Sequence, residues 1–272
     1  MSTATVIPAE ATTSLPDTRQ GFGDVLRSEW IKLRTVRSTW WTLAALVGLG
    51  AGLTIVMCWG NAEWLASEGA DESPGSFITW GMMIAQITAV VLGVLAVTNE
   101  YGTGMVRTTF AAVPRRGRVF AAKALLVSGV LFVVGTATAL IGYFGGNFFL
   151  DREGIGMALE GDVLRSMYGS GLYMAGLGLL SLAVGTLLRH TAGAITITIA
   201  VVFVVSNMVA LIPGDIGLFI ERVMPGNAGS SVAVPVAFNP NLLDPWAGFA
   251  IFAAEIAVLM TLAAIALRRR DA

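Results

Sequence analysis

Between residues 100 and 123 the chain reads EYGTGMVRTTFAAVPRRGRVFAAK. One carboxylate, Glu100, stands ahead of five cations: Arg107, Arg115, Arg116, Arg118 and Lys123. These are nearly a third of the chain's 17 basic residues. The chemistry open to such a set is ion pairing and docking. Gly102 and Gly104 interrupt any helix that enters the stretch, and Pro114 stops whatever lies between. Val106, Phe110 and Val113 fall at i, i+4 and i+7, giving a short helix one apolar stripe. A stripe flanked by arginines suits a groove on a partner protein. The alternative is a basic loop lying on lipid headgroups.

A second candidate is Glu255, in FAAEIAVL, amid a long apolar run. A charge at the centre of a bilayer costs about 2.5–3.5 kcal/mol on insertion scales, so this carboxyl should face other helices or be protonated. Gln86 and Asn207 lie in other apolar runs and are its candidate hydrogen-bond partners. A structural network and a role in transport or conformational change both fit.

Other chemistries lack their residues. A phosphate-binding loop needs Gly-Lys-Ser/Thr, but the two lysines, Lys32 and Lys123, follow Ile31 and Ala122. One histidine, His190, and one cysteine, Cys58, do not supply a zinc site of the usual nitrogen and sulfur type. No serine sits in a Gly-x-Ser-x-Gly elbow. The chain reads as a non-enzyme, with no metal, no cofactor of its own and no nucleic-acid partner expected.

The elements that hold these residues follow from hydropathy. Of 272 residues, 55% are hydrophobic and 13% charged, with a net charge of −1. A soluble domain is nearer a quarter charged. About 20 apolar residues cross a bilayer as a helix. Six stretches fit: 39–59, 77–98, 119–143, 168–188, 194–212 and 246–267. Basic residues stay on the cytoplasmic side. Fourteen of them fall before the first span, after the second, after the fourth and after the sixth; the other connections hold Arg152, Arg165 and Arg222, with eleven acids. Both termini and the connector 99–118 are therefore expected in the cytoplasm.

Residues 1–20, rich in Ser, Thr, Ala and Pro, read as a disordered tail. Over 21–38, Phe22, Leu26, Trp30, Leu33 and Trp40 recur near one face, as in an amphipathic helix lying in the membrane interface. Gly48, Gly50, Gly52, Gly176 and Gly178 permit close helix approach, within the chain or between two copies. The last outer connection, about 213–245, holds IGLFIERVM and VAVPVAF, too short to span and suited to re-entrant or interface-lying segments. The excess of arginine over lysine suggests a GC-rich genome.

Glu100, Gly102, Thr103, Arg107, Pro114, Arg115, Arg116 and Lys123 follow in loose form a pattern of Glu, Gly-Thr, a basic residue, Pro with Arg, then Lys. With the opening LRSEWIKLRTVRSTWW and six spans, this resembles the permease subunits of ABC transporters of the type-2 exporter kind, over nearly the whole chain. The resemblance implies an all-α integral membrane protein in a bacterial cell membrane. It implies a translocation pathway formed with a second permease subunit, identical or not. It further implies a coupling helix near Thr103–Arg116, with Phe110, that docks on a separate cytosolic ATP-binding subunit carrying ATP and Mg. The runner-up is a stand-alone secondary transporter or channel using Glu255 as a proton or ion site. A membrane-anchored enzyme or assembly factor is the third reading.

Overall fold

The computed structural model describes residues 21–102, 104–105, 116–209, 211–237 and 239–269. The tail 1–20 and, from the connector, Thr103, Arg107, Phe110, Pro114 and Arg115 lie outside the described residues. The helices are α1 Phe22–Thr35, α2 Arg37–Leu65, α3 Pro74–Phe77, α4 Trp80–Gly102, α5 Arg116–Arg152 and α6 Gly161–Leu188. They continue with α7 Thr191–Val209, α8 Asp215–Val223, α9 Pro225–Ser230 and α10 Pro245–Arg269. No strand occurs among the described residues.

Six helical stretches are long and apolar enough to cross a membrane: α2, α3 with α4, α5, α6, α7 and α10. Five contain the segments expected from hydropathy. The described part of the fifth ends at Val209, short of 212. The third outruns its expected end. Its 37 residues rise about 55 Å at 1.5 Å each, well past a hydrocarbon core of about 30 Å. Its far end is fastened by the Tyr143 hydroxyl, which donates to the Met157 carbonyl at 2.6 Å, and by Asn147 Oδ1, which accepts from the Met157 N–H at 2.8 Å.

The bundle is built around α4 and α6. In the most apolar stretch of each, 61% and 67% of residues are buried, against 22–28% in the other four. The pair crosses where Gly93 of α4 meets Gly178 of α6; a Cβ on Gly93 would collide with the Gly178 carbonyl and the Ser181 hydroxyl. Small residues let backbones approach where lipid supplies no hydrophobic drive between helices. Helix α2 is keyed to α4 differently. The Thr54 hydroxyl donates to the Gly50 carbonyl and accepts from the Gly81 N–H at 3.0 Å. Of the first-span glycines, Gly50 packs against Thr138 and Met82, whereas Gly48 and Gly52 face open space.

The long connection between α7 and α10 does not lie wholly on the surface. Helix α9 and the 3-10 turn Ser231–Ala233 are buried against α6 and α10, with Ala228, Val232 and Ala233 in the interior. The backbone of this segment is covered by protein. Helix α8 turns Ile216 and Phe219 outward and buries Glu221.

Candidate functional site

The connector leaves α4 at Gly102 and enters α5 at Arg116. Both roots are held by other helices. Glu100 is buried at the end of α4, where the helix dipole disfavours an acid and a nearby cation of the connector, Arg107 or Arg118, would compensate it. The structure instead gives it the chain's two lysines. Lys32 Nζ donates to Glu100 Oε1 at 2.7 Å and Lys123 Nζ donates to the same oxygen at 2.8 Å. Arg107 lies outside the described residues. The ammonium is a compact point charge with three rotatable donors, so one lysine serves both carboxylates at once.

Glu29 completes the cluster. Its Oε1 accepts from Lys32 at 2.8 Å and its Oε2 from Lys123 at 2.6 Å. Lys123 spends its third proton on the Ala96 carbonyl at 3.1 Å. Two carboxylates and two ammonium groups sum to zero, the condition under which buried charge is tolerated. Glu29, Glu100 and Lys123 are nearly inaccessible; the Lys32 side chain is 29% exposed. Burial alone would lower the Lys32 pKa. Hydrogen bonds and charges from Glu100 and Glu29 outweigh it and hold the group above its usual value.

The cluster ties α1 to α4 and α5. Phe22 and Trp30 were expected on a face sunk in the interface with Leu26 and Leu33. The face turned to protein carries Val25 and Glu29, with Val25 against Val119 and Ala122 of α5. Phe22 and Trp30 point away from the bundle. One non-helical residue, Val36, separates α1 from α2, and the Trp40 indole N–H donates to the Arg34 carbonyl across this corner at 2.9 Å. Beside the cluster a cleft of about 430 Å³ opens between α1, α2, α4 and α5, walled by Leu33, Leu92, Leu95 and Val127. On that side, ionic contacts replace close packing.

Two further ties hold the same end. Arg189, in the left-handed conformation at the close of α6, sets its guanidinium 5.1 Å from the ring centre of Tyr101. Arg116 Nη1 donates to the Leu267 carbonyl at 3.3 Å. This carries a cation from the start of α5, where the helix dipole disfavours it, to the end of α10, where the dipole favours it. The two connector roots are thus joined to α1, the α6–α7 turn and α10. His190, exposed in that turn, caps α7 by accepting from the Gly193 N–H at 3.0 Å.

The intramembrane candidates separate. Gln86 Oε1 accepts from the Tyr173 hydroxyl, and its Nε2 donates to the Met83 carbonyl at 2.7 Å. Asn207, exposed, donates to the Phe203 carbonyl at 2.6 Å. Gln86 and Asn207 line one cavity; Glu255 is not among its lining residues. Glu255 Oε2 is buried without a hydrogen-bond partner among the described residues, so the expected network with Gln86 and Asn207 is not formed. Among the described residues no cluster of His, Cys, Asp and Glu could hold a metal.

Sequence reasoning missed the pairing of both lysines with both glutamates. A signal existed: the chain has two lysines against fifteen arginines, and Lys32 stands three residues after Glu29. The contact with Lys123, 94 residues from Glu29, left no local trace. No family model matches the chain, and no curated protein does.

Proposed function

We propose that the chain is the permease subunit of an ATP-driven ABC transporter of the type-2 exporter kind. Its connector docks on a cytosolic ATP-binding subunit, and two permease subunits line the pathway. The observation that carries this reading is the neutral lysine–glutamate cluster at the root of a basic connector. A docking loop that transmits force needs a stiff foot, and Glu29, Lys32, Glu100 and Lys123 join that foot to α1 and α5. The fourteen-to-three partition of basic residues supports a cytoplasmic position for this end. Helix α1, with Phe22 and Trp30 facing out, then lies along the inner membrane interface. ATP and Mg belong to the partner, and export is the direction.

The test is co-expression with ATP-binding subunits from the same genome, followed by purification. Retention of one such subunit by the native chain, and its loss with Phe110→Asp while the variant stays monodisperse, is expected. Equal retention by both would remove the connector from the interface.

A second reading rests on Glu255, whose Oε2 has no partner among the described residues. A stand-alone secondary transporter would move a proton or ion on that carboxyl. It predicts transport abolished by a protonophore and by Glu255→Gln, with no ATPase partner.

A further inference from the structure

A second cavity, about 320 Å³, lies at the opposite end of the bundle from the lysines. Helices α4, α6 and α7 enclose it with the buried outer segment. Its size is at the lower edge of small-molecule sites, with room for about ten waters at about 30 Å³ each. Its composition is selective. None of its described lining residues is charged, although acids abound in the connections at this end.

Two of its polar groups are uncommitted. Ser76 and Thr79, 2% and 3% exposed, line the cavity, and their hydroxyl oxygens have no hydrogen-bond partner among the described residues. A buried unpaired hydroxyl costs about 1–3 kcal/mol. Elsewhere the polar groups are partly committed. The Tyr173 hydroxyl is shared between Gln86 Oε1 and the Gly226 carbonyl, and Gln86 Nε2 and Asn207 Nδ2 each place one of two protons, on Met83 and Phe203. What remains is two hydroxyls, second amide protons and a set of lone pairs. That surface suits an uncharged polar occupant that both donates and accepts.

The apolar part is adaptable. Met82, Met83 and Met174 line the cavity with Trp80, and methionine repacks around varied shapes. The wall from α7 is irregular: the helix passes through a π turn at Ala200–Val205, and Val202, Phe203, Ser206 and Asn207 around that turn line the cavity. Such turns recur at functional sites.

We propose that this cavity binds an uncharged amphiphile, its hydroxyl or amide N–H groups held by Ser76, Thr79 and Asn207 and its apolar body by the methionines and Trp80. An anion or cation finds no counter-charge among the described lining residues and is disfavoured by desolvation. The site is independent of the ATPase interface: loss of binding here leaves docking at the connector untouched, and the reverse holds.

The test uses the full chain in lipid nanodiscs and three photo-probes with the same eight-carbon, diazirine-tipped chain. One is a neutral glucoside, one a carboxylate and one a trimethylammonium. The glucoside should label the Trp80–Met83 segment or Met174 saturably, at least fivefold above either charged probe. Ser76→Ala with Thr79→Val should cut saturable labelling at least fivefold, and Asn207→Leu, at an exposed position, at least threefold. Competition by unlabelled octyl glucoside alone identifies a small amphiphile as occupant; competition also by a diacyl glucoside lipid identifies a membrane lipid. Both support the site. Labelling that does not saturate, is equal for all three probes, or persists in both variants overturns it.

Discussion

Lys123→Met tests the cluster most sharply. The substitution keeps the stem and deletes hydrogen bonds to Glu29 Oε2, Glu100 Oε1 and the Ala96 carbonyl, at 2.6, 2.8 and 3.1 Å. Lys32 still serves Glu29 Oε1 and Glu100 Oε1. The orphans are one carboxylate oxygen, one carbonyl and one uncompensated negative charge. Breaking a buried pair from one side costs about 3–5 kcal/mol. Lys32 remains and is 29% exposed, so solvent relieves part of the charge and about 3 kcal/mol is expected. Adding Glu100→Gln leaves a neutral Glu29–Lys32 pair and should recover about 1–2 kcal/mol. Cys58, the sole cysteine and fully buried, supplies the assay, because a thiol reagent reaches it when the bundle opens. With each 1.4 kcal/mol worth about tenfold, labelling of Lys123→Met should run about a hundredfold faster than wild type. Labelling within threefold of wild type, or a double variant no slower than the single one, would refute the argument.

Four other outcomes follow. Because the folded Lys32 pKa is raised, the tie it makes is complete below the ordinary lysine value and lost as pH climbs through the folded one; the change in near-UV circular dichroism above pH 10.5 should be larger in wild type than in Lys32→Met, the tyrosines contributing to both. Gly93→Ala drives a methyl at the Gly178 carbonyl and should cost about 1–3 kcal/mol, whereas Gly48→Ala, facing open space, should leave Cys58 labelling unchanged. Phe110→Asp should abolish transport by the assembled complex while the chain elutes as before in size-exclusion chromatography. Glu255→Gln should leave ATP-dependent transport within twofold of wild type and insensitive to a protonophore; abolition by either would favour the secondary-transporter reading.

The spans were legible because lipid imposes a long apolar run on each crossing helix, and the chain complies six times. Helix α1 was legible as a helix with an apolar face for the membrane interface, and Phe22 and Trp30 of that face point away from the bundle. Its contact with protein through Val25 and Glu29 was not legible, because hydropathy cannot tell an apolar residue facing lipid from one facing protein. The partners of Glu100 were obscured for a related reason. The arginines near it in sequence drew attention, and the lysines that reach it come from two other helices. Gln86 and Asn207 stood out as polar groups in apolar runs. Their shared cavity depends on the π turn in α7 and the burial of α9, which come from packing and have no local signature. Phe110 and the centre of the connector rest on sequence pattern alone.

The central claim is that the connector meets an ATP-binding protein in the cytoplasm. A photo-crosslinking amino acid placed at position 110 in living cells tests it directly. The account predicts a light-dependent adduct whose partner carries a Gly-Lys-Ser/Thr phosphate-binding loop, unaffected by an impermeant quencher outside the cell. Adducts to lipid alone, or adducts suppressed by that quencher, would contradict it.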